Sequence, residues 1–152
     1  MDSIHISWLA VLVAVVANFI FGALWFMPLF GKVWAKEMKM DMTKKPPSSV
    51  MVRGMLLGLI GSFFLVYVFA HNMAAWGCVK GAGDMSAFSS AFMASIFTWL
   101  GFFVPVDLST IAWESKSWKL FLINTGYHLL QLLIVALILT YWHGAISAPC
   151  MS

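Results

Sequence analysis

Four long apolar stretches, separated by short polar connections, constrain this chain more than any other feature of its sequence. They cover approximately residues 6–27, 54–71, 87–106 and 119–142, and none carries a charge in its interior. A helix needs about 20 apolar residues to cross the hydrocarbon core of a bilayer. Only 10% of the residues are charged, whereas soluble domains average about 25%. The sequence therefore predicts one domain, residues 1–152, that is an all-α integral membrane protein with a four-transmembrane-helix bundle.

The basic residues predict an orientation for these four spans. The first connection, 28–53, contains six of the nine Lys and Arg residues, and the third, 107–118, has two in it or beside it. The outer loop, 72–86, contains only Lys80. Eight of the nine Lys and Arg residues thus belong to the first and third connections. The positive-inside rule predicts that these two connections are cytoplasmic. Both termini, including the tail 143–152, are then expected on the non-cytoplasmic side.

The fourth stretch is the most polar of the four. His128 lies nine residues into it, at a depth where an ionisable side chain is costly and usually faces protein or trapped water. Asn124 and Gln131 share its helical face at i−4 and i+3. Counted from the cytoplasmic ends, one polar residue in each of the other spans reaches a similar depth. The predicted intramembrane polar cluster is Asn18, Ser62, Thr98, Asn124, His128 and Gln131.

Two interpretations of this polar cluster stay open. Its members could hydrogen-bond between helices and fix their packing, each contact contributing about 0.6 kcal/mol. Alternatively, they could form a proton relay, contact a substrate or bind a metal.

Small residues on the second span suggest a surface for close helix contact. Gly54, Gly58 and Gly61 recur at spacings of four and three, which places them on one side of a helix. We predict that this face packs against another helix.

The two cysteines, Cys78 and Cys150, both fall on the predicted outer side. The outer side is oxidising, so a disulfide between them is permitted. His5, His71 and His143 lie near the same surface with several Met residues, and such ligands suit copper. None of them has the spacing of a metal motif, so we predict neither a metal nor a cofactor.

No catalytic constellation is recognisable in the sequence. It has no nucleophile elbow, phosphate loop, CxxC pair or intramembrane carboxylate pair. Asp107 and Glu114 fall in the connection 107–118, where we expect them to be solvated or paired with Lys116. The absence of an acidic residue in the spans argues against a carboxylate-based proton pump. The basic residues adjoin apolar spans, so we expect lipid headgroups and not nucleic acid as their partners.

A weak internal similarity links the ends of the first and third spans. GALWFMP, residues 22–28, resembles WLGFFVP, residues 99–105. A duplicated helical hairpin would explain it, and so would tryptophans that anchor each span at the membrane interface.

Two segments give the chain a resemblance to a known family. GALWFMPLFGKVW, residues 22–34, and SWKLFLINTGYHLL, residues 117–130, resemble the bacterial membrane proteins grouped as domain of unknown function 1761. The residues that match in order are Gly22, Trp25, Pro28, Gly31, Lys32 and Trp34, then Asn124, Gly126, Tyr127 and His128. The resemblance implies a multi-pass protein of the bacterial cytoplasmic (inner) membrane and no particular reaction. The Pro-Pro first connection and the Cys-bearing outer segments depart from the family.

Three functions are compatible with these observations. The leading hypothesis is a non-enzymatic protein that acts by association, as an accessory subunit of a larger membrane complex or as a homo-oligomer. Its partners would be the lipid bilayer and a second membrane protein or copy. An alternative is an oligomeric transporter or channel with a polar pathway around His128. A metal- or haem-dependent protein is a third, although His128 is the only deep histidine and a bis-His haem would need two.

Overall fold

A computed structural model describes residues 4–41, 46–79 and 85–147, which are almost entirely helical. Two five-residue segments, Trp25–Leu29 and Trp99–Phe103, are π-helical, and each directly follows an α-helix. Two short strands lie near the ends of the described chain. The helices and strands are β1 (His5–Ile6), α1 (Trp8–Leu24), α2 (Gly31–Glu37), α3 (Ser48–Gly77), α4 (Ala87–Thr98), α5 (Val104–Glu114), α6 (Trp118–Tyr141) and β2 (Ile146–Ser147).

Four of the helical stretches are long and apolar enough to cross a membrane. They are Trp8–Leu29, Ser48–Gly77, Ala87–Glu114 and Trp118–Tyr141. The predicted all-α class and the number of long apolar helices are thus confirmed. The third stretch differs from the predicted one, because it continues past Pro105 to Glu114 and makes much of the connection 107–118 helical. Pro105 is tolerated because it lies in the first turn of α5, where a proline needs no intrahelical N–H partner.

Serine side chains set the starts of three helices. Ser7, Ser86 and Ser117 precede α1, α4 and α6, and each hydroxyl accepts a hydrogen bond from the backbone N–H three residues later. Such capping satisfies a donor that would otherwise lack a partner at a helix start. α5 ends at Glu114, and the next residue, Ser115, has a left-handed backbone (φ 52°) that turns the chain towards α6.

α6 is the central helix of the bundle. It packs against α1 on one side and against α4 on another, while α3 packs mainly against α1. Alanines at the contacts let the helices approach closely. The most buried apolar residues are Ala10, Val11, Ala14, Val66, Ala70, Ala74, Ala91, Leu132, Val135, Ala136 and Ala145.

The two strands join the two ends of the described chain. β1 pairs antiparallel with β2, with His5 opposite Ser147 and Ile6 opposite Ile146. The Ser7 backbone N–H also donates to the Ala145 carbonyl at 2.8 Å. Residues 5–6 and 146–147 therefore lie at the same end of the bundle.

The N-terminal half of α3 lies outside the bundle. Residues 48–61 are exposed on every face, and burial begins only at Ser62. A β-carbon added to Gly54 or Gly61 would meet no atom within 4 Å, and one on Gly58 would lie 3.6 Å from the Phe19 ring. Among the described residues, the glycine face therefore approaches a side chain of another helix only at Gly58.

Candidate functional site

Asn18 and Ser62 form the first of two buried polar groups. Asn18 is 1% exposed on α1, and its Nδ2 donates to the Ser62 hydroxyl on α3 at 3.0 Å. Among the described residues, the Asn18 Oδ1 oxygen has no hydrogen-bond partner. One interhelical hydrogen bond thus connects two members of the predicted polar cluster and helps to set the register of α1 against α3.

His128 belongs to the second group, where Gln131 orients its ring. The Gln131 amide nitrogen lies 2.9 Å from His128 Nδ1, one turn apart on α6. Because an amide nitrogen can only donate, Nδ1 accepts in this arrangement and the ring proton lies on Nε2. The Phe103 ring covers one side of the imidazole, with ring centroids 4.6 Å apart.

Asp107 completes this second group, and its position corrects the expectation from the sequence. We expected Asp107 to be solvated in a connection, but it lies in α5, is 8% exposed and points its Oδ1 at His128 Nε2, 3.7 Å away. Its other oxygen, Oδ2, is buried without a hydrogen-bond partner in the part of the chain that the structure describes. The cause is the helical path beyond Pro105, which turns this carboxylate towards α6 instead of towards solvent.

Two tryptophans attach the π-helical segments to α6. The Trp25 indole N–H donates to the Ile123 carbonyl at 3.1 Å. The Trp99 indole N–H donates to the Thr125 carbonyl at 2.8 Å and to the Thr125 hydroxyl at 3.0 Å. The N–H groups of these two indoles therefore bond to protein.

The two similar segments, residues 22–28 and 99–105, also share a local structure. Trp25 is the fourth residue of GALWFMP and Trp99 the first of WLGFFVP, and each begins a five-residue π-helical segment. Each indole then reaches a carbonyl of the same helix, two residues apart. Single π-helical turns of this kind often occur at functional sites.

The remaining two members of the predicted cluster stand apart. Thr98 and Asn124 are half-buried, and neither side chain makes a hydrogen bond to another described residue. The predicted polar cluster is therefore divided between two interfaces, α1 with α3 and α5 with α6.

The two polar groups nevertheless lie at a similar depth in the bundle. Trp25 bonds to Ile123 and Phe21 stacks on Tyr127, so α1 and α6 are antiparallel. An earlier residue of α1 therefore lies level with a later residue of α6. Asn18 is about one turn before Phe21, and Gln131 is about one turn after Tyr127. Asn18 and Gln131 are thus at nearly the same level.

The other predicted positions lie at the end of the bundle that carries the strands. His5 and His71 line one small cleft, and His143 lines a separate cavity of about 680 Å³ between α3, α4 and α6. Residues 4–41, 46–79 and 85–147 contain no group of three His, Cys, Asp or Glu side chains that could hold a metal ion. Cys78 follows α3, and Cys150 lies outside the described residues, so the disulfide between them stays a prediction.

Sequence reasoning missed Asp107, Thr125 and Trp99 as members of the polar site. One available signal was the spacing of Asp107, Thr110 and Glu114, which share a helical face and indicate that the helix continues. Pro105 was interpreted as the end of the third span, and this concealed the signal.

Comparison with known proteins identifies a family but no relative of known activity. No curated protein and no solved structure matches the chain significantly. The model of a family described as "Protein of unknown function (DUF1761)" matches residues 9–140. That match covers both segments that carried the resemblance and all of the residues that build the two polar groups. This chain therefore belongs to the DUF1761 family.

Proposed function

We propose that this protein is a multi-pass protein of the bacterial cytoplasmic membrane, with four spans and both termini outside the cytoplasm. The hydropathy of the four long helices supports insertion. Lys32 and Lys36 on α2 lie at the end of the bundle opposite the strands, in agreement with the positive-inside rule.

Reporter fusions test this orientation. Alkaline phosphatase fused after the last residue should be active, and a fluorescent protein that matures only in the cytoplasm should stay dark there. The opposite result at the C-terminus would contradict the proposed orientation.

Within the membrane, we propose that the protein is not an enzyme and acts by association through the N-terminal half of α3. The observation that carries this proposal is the exposure of residues 48–61 on every face, over about four helical turns. A helix in a bundle usually buries one face, and this segment buries none. Gly54, Gly58 and Gly61 on the same segment would let a partner helix approach closely, which is how helices associate in a bilayer.

We commit to a second copy of this chain as the partner of the α3 segment. Gly54→Leu and Gly61→Leu should weaken the dimer without altering the monomer, because a β-carbon at either position meets no described atom beyond its own stretch of helix within 4 Å. Gly101→Leu is the matched control, since a β-carbon there is equally free and the residue lies in the π-helical segment Trp99–Phe103 and not on α3. Light scattering of the protein in mild detergent gives the mass, and a loss of about 1.4 kcal/mol at the interface would weaken the dimer roughly tenfold.

Each result of this experiment identifies what binds the N-terminal half of α3. A dimer that Gly101→Leu preserves and the two α3 variants lose supports homo-oligomerisation. A different membrane protein that co-purifies and is lost in the same two variants would make the chain an accessory subunit. Monomers without any co-purifying protein would contradict association altogether.

The buried pair of Asp107 and His128 favours a second candidate, a small oligomeric transporter or channel. Ionisable groups placed among apolar helices commonly mark the pathways of transporters. Flux of protons or candidate solutes into proteoliposomes should fall in His128→Ala if this candidate is correct, and unchanged flux would exclude a pathway through His128.

A further inference from the structure

The pair of Asp107 and His128 has an unfilled bonding position. His128 Nε2 carries the ring proton and faces Asp107 Oδ1, while Gln131 holds Nδ1. The Asp107 Oδ2 oxygen is buried and has no hydrogen-bond partner of ordinary geometry among the described residues, although the Thr125 hydroxyl lies beside the carboxyl group. Buried polar atoms of proteins nearly always have a partner, because an unmet hydrogen-bonding group in an apolar interior is costly. A deprotonated Asp107 would therefore leave one acceptor oxygen unsatisfied.

No third charged group neutralises this pair within the part of the chain that the structure describes. α1, α4 and both π-helical segments contain no charged or ionisable side chain. On α6 the neighbour of His128 is Tyr127, whose hydroxyl points to α1 beside Gly22. On α5 the other acid is Glu114, which is exposed two turns away.

α2 and α3 are the remaining elements with ionisable residues that pack on α6, and α6 itself has Lys119 near its start. On α3, Arg53 lies in the exposed N-terminal half and His71 bonds to the Tyr67 carbonyl. α2 contributes Lys32, Lys36 and Glu37, and Glu37 accepts a hydrogen bond from Ser117 at the start of α6, far along the helix from His128. With His128 neutral and Asp107 ionised, the pair therefore carries one negative charge in a low-dielectric interior.

We propose that Asp107 and His128 form one proton-binding unit, in which a proton is taken up and released at the Oδ2 oxygen of Asp107. Uptake forms an O–H bond from an oxygen lone pair and removes the negative charge. Release breaks that bond and leaves the electron pair on the oxygen, so no oxidant or reductant takes part. This inference depends only on the buried pair, and it holds whether or not the chain associates through α3.

A proton fits this position better than a metal cation does. Hard cations require several oxygen ligands, commonly six or more. The described surroundings of the carboxylate provide an imidazole nitrogen and the Thr125 hydroxyl, which also accepts a hydrogen bond from the Trp99 indole, and the Phe103 ring lies against that imidazole. That set is too poor in oxygen for a cation, whereas one proton needs only the free lone pair.

The pair is not sealed inside the bundle. The His128 side chain is 25% exposed, while that of Asp107 is 11% exposed. The imidazole is therefore the part of the pair nearest to the exterior of the bundle.

Infrared difference spectroscopy of the full-length protein in lipid nanodiscs tests the proposal. Between low and high pH, the wild-type spectrum should contain the carbonyl band of one buried protonated carboxylic acid. Asp107→Asn should lose that band, and Glu114→Gln, which removes an exposed acid from the same helix, should keep it. His128→Gln should keep the band and shift its frequency, because the ring faces the same carboxyl group.

The outcomes separate the proposal from its competitors. A band that remains unchanged in Asp107→Asn, or no pH-dependent band in folded wild-type protein, would overturn it. A band that responds to sodium ions at constant pH would assign the site to a cation instead. If Asp107→Asn does not fold, Asp107→Glu keeps an ionisable group and should move the band without removing it, so an unmoved band would also contradict the proposal.

Discussion

Gly22 leaves room for the hydroxyl of Tyr127, since a β-carbon on Gly22 would lie 2.9 Å from that oxygen. Gly22 belongs to the segment that ends the first helix, and Tyr127 belongs to α6. Trp25 and Gly126 meet at the same place, where a β-carbon on Gly126 would lie 3.8 Å from the Trp25 ring. The two segments that identify the family, 22–34 and 117–130, therefore pack directly against each other.

Gly22→Ala should destabilise the protein by about 1–3 kcal/mol, the usual cost of overpacking. The Tyr127 ring cannot easily retreat, because it stacks on Phe21 at 5.6 Å and lies 4.8 Å from Phe26. Thermal unfolding in detergent measures the change. Tyr127→Phe removes the clashing oxygen, so the double variant should recover most of the loss, and no recovery would contradict the assigned contact.

Gly31→Ala should be costly for a different reason. A β-carbon there would lie 2.7 Å from the backbone oxygen of Phe26, which belongs to the π-helical segment and cannot rotate away. We expect a loss of about 1–3 kcal/mol that no side-chain substitution at Phe26 restores. Gly101→Ala meets nothing within 4 Å and serves as the control, so an equal loss there would contradict the steric explanation.

Trp99→Phe should lower stability more than Trp25→Phe does. The first change removes indole contacts to two Thr125 oxygens, and the second removes a single bond to the Ile123 carbonyl. A net hydrogen bond contributes about 0.5–1.5 kcal/mol. Trp113 is 87% exposed, so Trp113→Phe should leave the unfolding temperature unchanged. A ranking with Trp113 as the most sensitive would show that these bonds do not hold the π-helical segments.

Ser117→Ala should cost more than Ser86→Ala, although each serine caps one helix. The Ser117 hydroxyl accepts from the Leu120 N–H at 3.2 Å and also donates to Glu37 on α2. Loss of a cap costs about 1 kcal/mol, and loss of the bond to Glu37 adds to it. Denaturant unfolding of both variants measures the difference, and equal losses would mean that the contact between α2 and α6 contributes nothing.

Ser62→Ala tests whether the contact with Asn18 holds the helices together. The hydrogen bond should be worth about 0.6 kcal/mol, as is typical between membrane helices. Ser89→Ala is the control, because its exposed hydroxyl bonds only to the neighbouring Ser86 hydroxyl and not to another helix. A change in proteoliposome flux with no change in unfolding would favour a pathway role for Ser62 over a packing role.

Much of the architecture was predictable from local sequence. The four apolar stretches, the partition of Lys and Arg, and the serine caps before α1, α4 and α6 depend on composition and short-range pattern, so they can be recognised without a structure. Pro105 misled the prediction, because a proline can end a helix or occupy the first turn of the next one. The resulting error moved Asp107 from a buried helical position into a supposed solvated connection.

The sequence by itself determined that this chain forms four long apolar helices, belongs to the DUF1761 family and places polar residues deep within those helices. Only the tertiary structure decided which polar groups meet. Asn18 pairs with Ser62 across α1 and α3, while Asp107 faces His128 across α5 and α6. Depth along a span follows from counting residues, but the direction in which each helix turns its polar face depends on how all the helices pack together. The π-helical segments add to this, because each rotates the residues that follow it in a way that residue spacing does not reveal.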